Sequence, residues 1–300
     1  MHAIPARHCS MLIFFRCFMR TMYCNKKKVI RQSWEWKYAS VFGMIYDKPM
    51  KYTRSILIIF VLVLGAVLYL NRAYSRIYSF IGAYQQERSS GSNTTMITAA
   101  PNAQKRHITY VALGDSLTAG VGASDSAHAY PHVLSQMIAK RRGDDVTLIN
   151  LGVPGASASD VIREQLPRLP KTAPDIAMLL IGVNDVHSLV AGDTFKKNVR
   201  NIVETLTTAH IATTVITIPY IGKDTLFLPP YRAYFDEQTR RYNTLLHEAI
   251  AGLPVTTVDL YTLTHDAAFK SARYYSADQF HPSDEAYESW AGYIYDTLHY

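Results

Sequence analysis

The sequence predicts an α/β fold in which a parallel sheet of five strands is covered by helices on both faces. Between residues 107 and 300, short apolar runs of strand length alternate with longer stretches whose apolar residues recur every three or four positions. This alternation is typical of a parallel sheet with helices packed on each side. The first three apolar runs also end in glycine-containing or polar motifs, as expected where functional loops follow the strands of an open sheet.

The five predicted strands are residues 108–113, 146–151, 175–182, 211–218 and 255–260. Helices are predicted after most of them, beginning near Tyr130, Ser157, Phe195, Phe235 and Ser283. Ser157 and Asp160 have the spacing of a capping box, which marks a helix start. In the flavodoxin-like strand order 2-1-3-4-5 the first three strands are neighbours, so their carboxyl ends would converge on one crevice.

The N-terminal region differs sharply in charge from the predicted α/β domain. The first hundred residues carry fourteen Lys and Arg against three Asp and Glu, a net charge of +11, whereas the remaining 200 carry a net charge of −4. The basic character therefore belongs to the N-terminal region, and a nucleic-acid-binding surface on the folded domain is not supported. Residues 1–54 show no sustained period and are predicted to be a basic, poorly ordered segment.

Residues 55–72 contain an uninterrupted apolar run of fifteen residues, 56–70. A membrane anchor, a cleaved signal peptide and a buried helix all have such runs, but the charged flanks disfavour a buried helix. Because no lipoprotein cysteine and no clean cleavage site follow, the sequence favours an uncleaved transmembrane anchor. The excess of Lys and Arg before the run places the C-terminal domain outside the cytoplasm, or makes it secreted if the segment is cleaved. The polar residues of 73–106 are predicted to be a linker.

The loop after the first predicted strand, Gly114-Asp115-Ser116, holds the candidate nucleophile Ser116. Thr118 stands where a G-x-S-x-G nucleophile elbow requires glycine, which disfavours an α/β-hydrolase. Gly152 follows the second strand, and Asn184 follows the third. A glycine allows close backbone approach, and an amide donates hydrogen bonds without carrying charge, so both suit an oxyanion.

A carboxylate and an imidazole follow late in the chain, in Asp278-Gln-Phe-His281. Serine is a poor nucleophile until a base takes its proton, and histidine serves best when a carboxylate fixes its tautomer. Asp278 and His281, three residues apart on a turn, can form that pair, with Asp284 as an alternative carboxylate. His128 and His132 lie one helical turn apart but lack a third ligand nearby, so no metal or cofactor is predicted.

These four blocks, in this order and at these intervals, resemble the SGNH hydrolases, the GDSL-type lipase and esterase family, over about residues 107–300. The resemblance implies a flavodoxin-like α/β/α sandwich without a metal. It also implies that Ser116 is the nucleophile, Gly152 and Asn184 are oxyanion donors, His281 is the base and Asp278 orients it.

The leading functional hypothesis is a serine esterase acting on small-molecule esters or lipids, similar to a lysophospholipase or acylhydrolase, through an acyl-enzyme. A deacetylase that removes O-acetyl groups from cell-envelope polysaccharide would use the same machinery. A catalytically silent binding domain is the alternative of another class. Asp115 and Asp185 are expected to hold their loops by local hydrogen bonds. His187 is expected to line the cleft, and the aromatic residues between 226 and 231 form either an acyl pocket or ordinary loop packing.

Overall fold

The computed structural model describes residues 51–85, 93–99, 105–171, 174–220, 222 and 226–298 of the chain. The predicted poor order of residues 1–54 therefore falls almost wholly outside the described residues. The chain divides into two compact units, Met1–Ala66 and Val67–Tyr300.

Helix α1, Lys51–Gln85, contains the predicted apolar segment and extends beyond it at both ends. Within α1, Ser55–Ser75 is long and apolar enough to cross a membrane. Its large apolar side chains from Ile56 to Leu64 are exposed, which a helix packed in a protein core would not allow.

The sheet has six strands in the order β1-β3-β2-β4-β5-β6. The strands are β1 Asn93–Ile97, β2 His107–Gly114, β3 Asp145–Asn150, β4 Ile176–Leu180, β5 Ala212–Ile216 and β6 Val255–Val258. Strands β2 to β6 are parallel neighbours, which confirms the five predicted strands and their 2-1-3-4-5 order.

Strand β1 was not predicted, because residues 73–106 were expected to be a linker. It pairs antiparallel with β3 at the edge of the sheet, with Thr95 opposite Leu148. Its sequence, NTTMI, is short and mostly polar, and Met96 is 62% exposed, so no alternating apolar pattern predicts a strand here. This segment is ordered as a strand because it pairs with β3, and its own composition does not predict a strand.

Helices begin near the five predicted starts, and three further short helices among the described residues, Ser116–Ala119, Val183–His187 and Leu260–His265, were not predicted. The helices are α2 Ser116–Ala119, α3 Tyr130–Arg142, α4 Ala158–Asp160 continued by a π-helical turn Val161–Gln165, α5 Val183–His187, α6 Gly192–Thr208, α7 Tyr231–Ile250, α8 Leu260–His265 and α9 Asp284–Thr297. Helix α3 packs against α9, and α6 packs against α7. All five residues of β4 are buried between these layers.

Candidate active site

Ser116 lies at the carboxyl end of β2, as the first residue of α2. The Oδ1 atom of Asp115 caps this helix by accepting a hydrogen bond from the Leu117 N–H at 3.0 Å. Gly114, at φ +157°, must be glycine because a Cβ atom there would collide with the Leu180 carbonyl oxygen of β4. The tight turn leaves Ser116 only 7% exposed at the edge of the sheet.

His281 and Asp278 meet Ser116 from the far end of the domain. The Nε2 atom of His281 lies 3.0 Å from Ser116 Oγ, and its Nδ1 atom lies 2.6 Å from Asp278 Oδ2. Asp278 is 2% exposed and His281 is 3% exposed, so water is largely excluded from the pair. The structure thus brings together the three residues that the sequence predicted as a triad.

The loop itself holds Asp278 in place. Asp278 Oδ1 accepts hydrogen bonds from Ser276 Oγ at 2.7 Å, from the Phe280 N–H at 2.8 Å and from the His281 N–H at 2.8 Å. Burial on its own would raise the pKa of Asp278, but the hydrogen bond and charge of His281, with the bonds from Ser276 and Phe280, hold it well below its usual range. Asp278 therefore remains an acceptor toward His281 Nδ1.

Asn184 is the second residue of α5, whose N-cap Gly182 lies two residues beyond the end of β4. Its Nδ2 atom donates to the Ala156 carbonyl oxygen at 2.9 Å, which ties the loop after β4 to the loop after β3. An amide nitrogen carries two hydrogens, and this bond uses one. Asn184 thus has a bracing contact as well as the chemistry of an oxyanion donor.

The Gly152 N–H, predicted as an oxyanion donor, has a hydrogen-bond partner in its own loop. It donates to Asn150 Oδ1 at 3.0 Å, and Asn150 Nδ2 donates to the Thr118 carbonyl oxygen at 2.7 Å. The close backbone approach that glycine permits is toward Thr118 and Ala119 of α2. Gly152 therefore packs against α2, and its N–H already has a partner within the loop.

Gly155, which is not among the predicted site residues, lies three residues further along the same loop. It has φ +81°, a conformation that favours glycine, and the turn around it is closed by the Ala156 N–H donating to the Val153 carbonyl oxygen at 3.0 Å. Asn184 contacts the carbonyl of Ala156, so this turn adjoins the amide side chain. The signal that could have identified it is the second glycine of Gly152-Val-Pro-Gly155.

Asp115 and Asp185 are buried beside Ser116 and Asn184 respectively. Asp185 Oδ2 accepts from the Ala158 N–H at 3.0 Å, so both carboxylates hold loops as predicted. Burial raises the pKa of Asp115 to about 7 and that of Asp185 to about 6, and the proximity of Asp185 adds to the rise at Asp115. These are two carboxyl groups that gain protons close to neutral pH.

His187, at the end of α5, lies in a cluster of aromatic rings. Its ring centroid lies 4.5 Å from that of Phe235, 5.7 Å from Phe280 and 6.1 Å from Phe227. Burial lowers the pKa of His187 to about 4, so it is neutral at physiological pH. Because Phe280 precedes His281 and its ring lies 4.9 Å from the imidazole, the cluster adjoins the triad.

A cavity of about 320 Å³ lies next to this aromatic cluster. It is lined by Tyr220, Pro229, Arg232, Ala233, Asp236 and His265. A smaller cavity against His187, Phe227 and Phe235 shares Tyr220, Arg232 and Asp236 with it.

His128, considered as a metal ligand from the sequence, has its Nδ1 atom 3.0 Å from Asp125 Oδ1 and 3.1 Å from Ser124 Oγ on the surface. Across the part of the chain that the structure describes, no three His, Cys, Asp or Glu side chains are grouped to hold a metal ion.

Comparison with known proteins gives one consistent result. Residues 112–288 match the model of the GDSL-like lipase/acylhydrolase family. A GDSL-like esterase of Mycobacterium tuberculosis, Rv1075c, is 28% identical over 190 residues, which cover 62% of this chain and 60% of that protein.

Solved structures of similar fold include a lipase/acylhydrolase from Enterococcus faecalis, with 22% identity and a TM-score of 0.51, covering 64% of this chain and 95% of that one. A putative lipolytic protein of the G-D-S-L family from Desulfitobacterium hafniense has 19% identity and a TM-score of 0.53, covering 64% of this chain and 99% of that one. At these identities the likeness establishes the α/β/α fold.

Proposed function

Because the chain belongs to the GDSL-like lipase/acylhydrolase family, we propose that it is a serine esterase that hydrolyses carboxylic esters through an acyl-enzyme on Ser116. The observation that carries this proposal is the continuous line of contacts from Asp278 through His281 to Ser116, at 2.6 and 3.0 Å. Hydrogen-bond distances of this kind are what proton transfer from a serine requires.

The reaction begins when His281 Nε2 takes the Ser116 Oγ proton as that oxygen attacks the ester carbonyl carbon. The negatively charged Asp278 stabilises the imidazolium that forms at His281. When the tetrahedral intermediate collapses, the carbon–oxygen bond to the alcohol breaks and His281 returns the proton to the leaving oxygen. A water molecule, deprotonated by His281, then attacks the acyl carbon. The bond from this carbon to Ser116 Oγ breaks, His281 returns the proton to Ser116 Oγ, and the acyl group leaves as a carboxylic acid.

The tetrahedral intermediate needs hydrogen-bond donors near Ser116. We assign this role to the Ser116 N–H and to the second hydrogen of Asn184 Nδ2, the first being held by the Ala156 carbonyl oxygen. The Gly152 N–H would have to be shared with Asn150 Oδ1 to contribute.

The decisive experiment uses a fluorophosphonate probe, which reacts covalently with an activated serine. Wild-type protein should be labelled and should hydrolyse p-nitrophenyl acetate, and Ser116→Ala should abolish both while keeping the unfolding midpoint, because the side chain is small. Thr118→Ser, a change at another hydroxyl of α2, is the matched control and should retain labelling. Labelling that persists in Ser116→Ala, or its absence from wild type as in a silent binding domain, would refute the proposal.

The second candidate function, removal of O-acetyl groups from a polysaccharide, is favoured by the tight packing of the aromatic cluster. The rings of His187, Phe227, Phe235 and Phe280 lie 4.5 to 6.2 Å apart, which leaves little room for a long acyl chain beside the triad. An activity profile over acyl length separates the two functions. A maximum at acetate, with release of acetate from acetylated glycan, would select the deacetylase.

We further propose that α1 is retained as an anchor with the catalytic domain outside the cytoplasm. Supporting this, Ala73, in the last turns of the candidate span, is only 3% exposed, so the end of the span is packed into the same compact unit as the domain. The mass of the mature protein and protease accessibility in intact cells would test retention and orientation.

A further inference from the structure

In the part of the chain that the structure describes, the last turns of the candidate membrane span contact residues 229–231 of the catalytic domain. Tyr69 Oη donates to the Pro229 carbonyl oxygen at 3.2 Å, and Tyr231 Oη donates to the Leu70 carbonyl oxygen at 3.3 Å. The rings of Tyr74 and Tyr231 are also 6.1 Å apart. Together with the buried Ala73, these contacts dock the end of the span on the segment that precedes and begins α7.

The docked turns are those expected at the surface of a bilayer. The apolar run of α1 ends at Leu70, Arg72 follows it, and tyrosines stand at 69 and 74. Tyrosine and arginine side chains are enriched where a span meets the lipid headgroups. If α1 spans a membrane, the segment that it docks on therefore lies at headgroup depth.

The surface beside the docking contact is apolar. Four residues close to the docking contact in sequence are exposed: Pro229, Pro230, Ala233 and Tyr234, the last with 43% of its surface accessible. Two of the four, Pro229 and Ala233, also line the cavity of about 320 Å³. An exposed apolar patch rimmed by polar residues is typical of a surface that contacts lipid.

Direct contacts lead from this cavity to the triad. Tyr220, Arg232 and Asp236 line both the large cavity and the smaller one that reaches His187 and Phe235. From His187, the ring contacts continue to Phe280 and then to His281.

The cavity also has fixed polar groups for the hydrophilic part of a ligand. Arg232 Nε donates to Tyr220 Oη at 3.0 Å, and Asp236 Oδ1 accepts from Tyr261 Oη at 2.7 Å, so both charged side chains are held in place. A mainly apolar cavity with a few oriented polar groups suits a ligand that is itself amphiphilic.

We propose that α1 docks the mouth of this cavity against the bilayer, and that the substrate is an amphiphilic ester drawn from the same membrane. The inference rests on the proposed esterase function and on retention of α1. In this proposal α1 delivers the substrate as well as anchoring the domain. The polar part of the ester lies against Arg232, Asp236 and His265, and a short acyl group, which fits beside the aromatic cluster, brings the ester carbonyl to Ser116.

The test uses the full chain reconstituted in phosphatidylcholine–phosphatidylglycerol vesicles that contain a fluorogenic lipid ester, with p-nitrophenyl acetate as the water-soluble comparison. Ala73→Asp places a charge in the docking contact, and Ser75→Asp places the same charge on an exposed position of the same helix. We expect Ala73→Asp to lower hydrolysis of the vesicle ester by ~10-fold or more, because delivery at high local concentration is lost, and to leave p-nitrophenyl acetate turnover unchanged. Ser75→Asp should change neither rate.

Tyr69→Phe removes the docking hydrogen bond to the Pro229 carbonyl oxygen while keeping the ring, and serves if Ala73→Asp does not fold. It should lower only the vesicle rate. An unchanged ratio of the two rates in every folded docking variant would overturn the inference, as would a wild type that hydrolyses p-nitrophenyl acetate but not the vesicle ester. A wild type without activity on either ester would instead refute the proposed function itself.

Discussion

Asp284 binds Ser124 with both of its carboxylate oxygens. The Ser124 N–H donates to Oδ1 at 2.8 Å, and Ser124 Oγ donates to Oδ2 at 2.6 Å. This pair of hydrogen bonds, here called the clamp, joins the loop that follows α2 to Asp284, the first residue of α9, three residues after His281. It is one reason why side chains separated by 165 positions, Ser116 and His281, meet at hydrogen-bond distance.

The clamp separates the roles of the two carboxylates that the sequence offered for His281. Asp278→Asn should lower kcat by ~10³ to 10⁴, because an amide cannot hold the imidazole in the required tautomer or stabilise its charge. Asp284→Asn should lower kcat by less than ~10-fold, since an amide oxygen still accepts from Ser124. Steady-state kinetics on p-nitrophenyl acetate measure both. Equal losses in the two variants would contradict the assignment of Asp278.

Asn184 should show a double effect, because it both braces a loop and is assigned as an oxyanion donor. Asn184→Ala should lower kcat by ~10² to 10³ with KM nearly unchanged, as the lost bond strengthens only when charge develops on the carbonyl oxygen. It should also reduce the free energy of unfolding by about 1 kcal/mol through the bond to Ala156. Kinetics and thermal unfolding on one preparation measure the two effects.

Asn243 provides the matched control for Asn184. Its side chain bonds both the N–H and the carbonyl of Ile218, at 2.8 and 2.9 Å, a purely bracing arrangement. Asn243→Ala should therefore lower the unfolding midpoint while turnover per folded molecule is largely kept. If Asn184→Ala behaved in the same way, Asn184 would have no part in the chemistry.

The oxyanion loops mark the limit of what the sequence could predict about the site. Ser116, Asp278 and His281 were predictable because strand ends and a local Asp–His spacing fix their positions. Gly152 is different, because only the folded loop shows that the Gly152 N–H donates to Asn150 Oδ1. Residue type and spacing identify a possible donor, but its competing partners depend on the path of the backbone.

Asp115 should make stability depend on pH near neutrality. Its folded-state pKa is about 7, against 3.8 for an ordinary aspartate, so the folded protein keeps a proton that the unfolded chain has lost. Its contribution to stability is thus complete below about pH 4 and is lost as the pH rises toward 7. Asp115→Asn mimics the protonated form and can still cap α2, so it should gain stability relative to wild type between pH 5 and pH 8, by roughly 1 to 4 kcal/mol.

Asp125 offers the control for that experiment. Its Oδ1 atom caps a short 3₁₀ helix by accepting from the Ala127 N–H at 2.7 Å, but the side chain is exposed and hydrogen bonding to His128 lowers its pKa. Asp125→Asn should lack the relative gain above pH 5. Urea unfolding at pH 5 and pH 8 gives the free energy of unfolding of each variant. If the difference in this free energy between wild type and Asp115→Asn did not change with pH, the buried-proton explanation would be wrong.

The sequence predicts the elements whose burial requires a repeating apolar pattern. It does not predict an element that is ordered only by pairing with a neighbouring strand. The runs that became β2 and β4 are continuous because both faces are covered, and Phe195, Val199, Ile202 and Leu206 recur because one face of α6 is buried. Strand β1 carries no such pattern. The aromatic cluster also escaped exact prediction, because His187, Phe235 and Phe280 come from three separate elements that only the tertiary fold brings together.

The aromatic cluster should set the preferred acyl length. Phe235 contacts both His187 and Phe227, with ring centroids 4.5 and 5.4 Å away, so Phe235→Ala opens space next to the triad. A pocket discriminates each methylene by about 1 to 3 kcal/mol. We therefore expect Phe235→Ala to raise kcat/KM for p-nitrophenyl octanoate relative to acetate by ~10-fold or more.

Phe269→Ala is the control, since Phe269 stacks on Tyr274 at 4.5 Å and has none of the ring contacts to His187 that define the cluster. It should leave the octanoate-to-acetate ratio close to that of wild type. A ratio that rises only in Phe235→Ala identifies the cluster as the acyl pocket, because the two variants delete the same ring. If neither ratio moves, residues 226–231 and their neighbours pack the loop and the acyl group lies elsewhere. A wild type that already prefers octanoate would exclude the polysaccharide deacetylase, whose pocket needs to hold no more than an acetyl group.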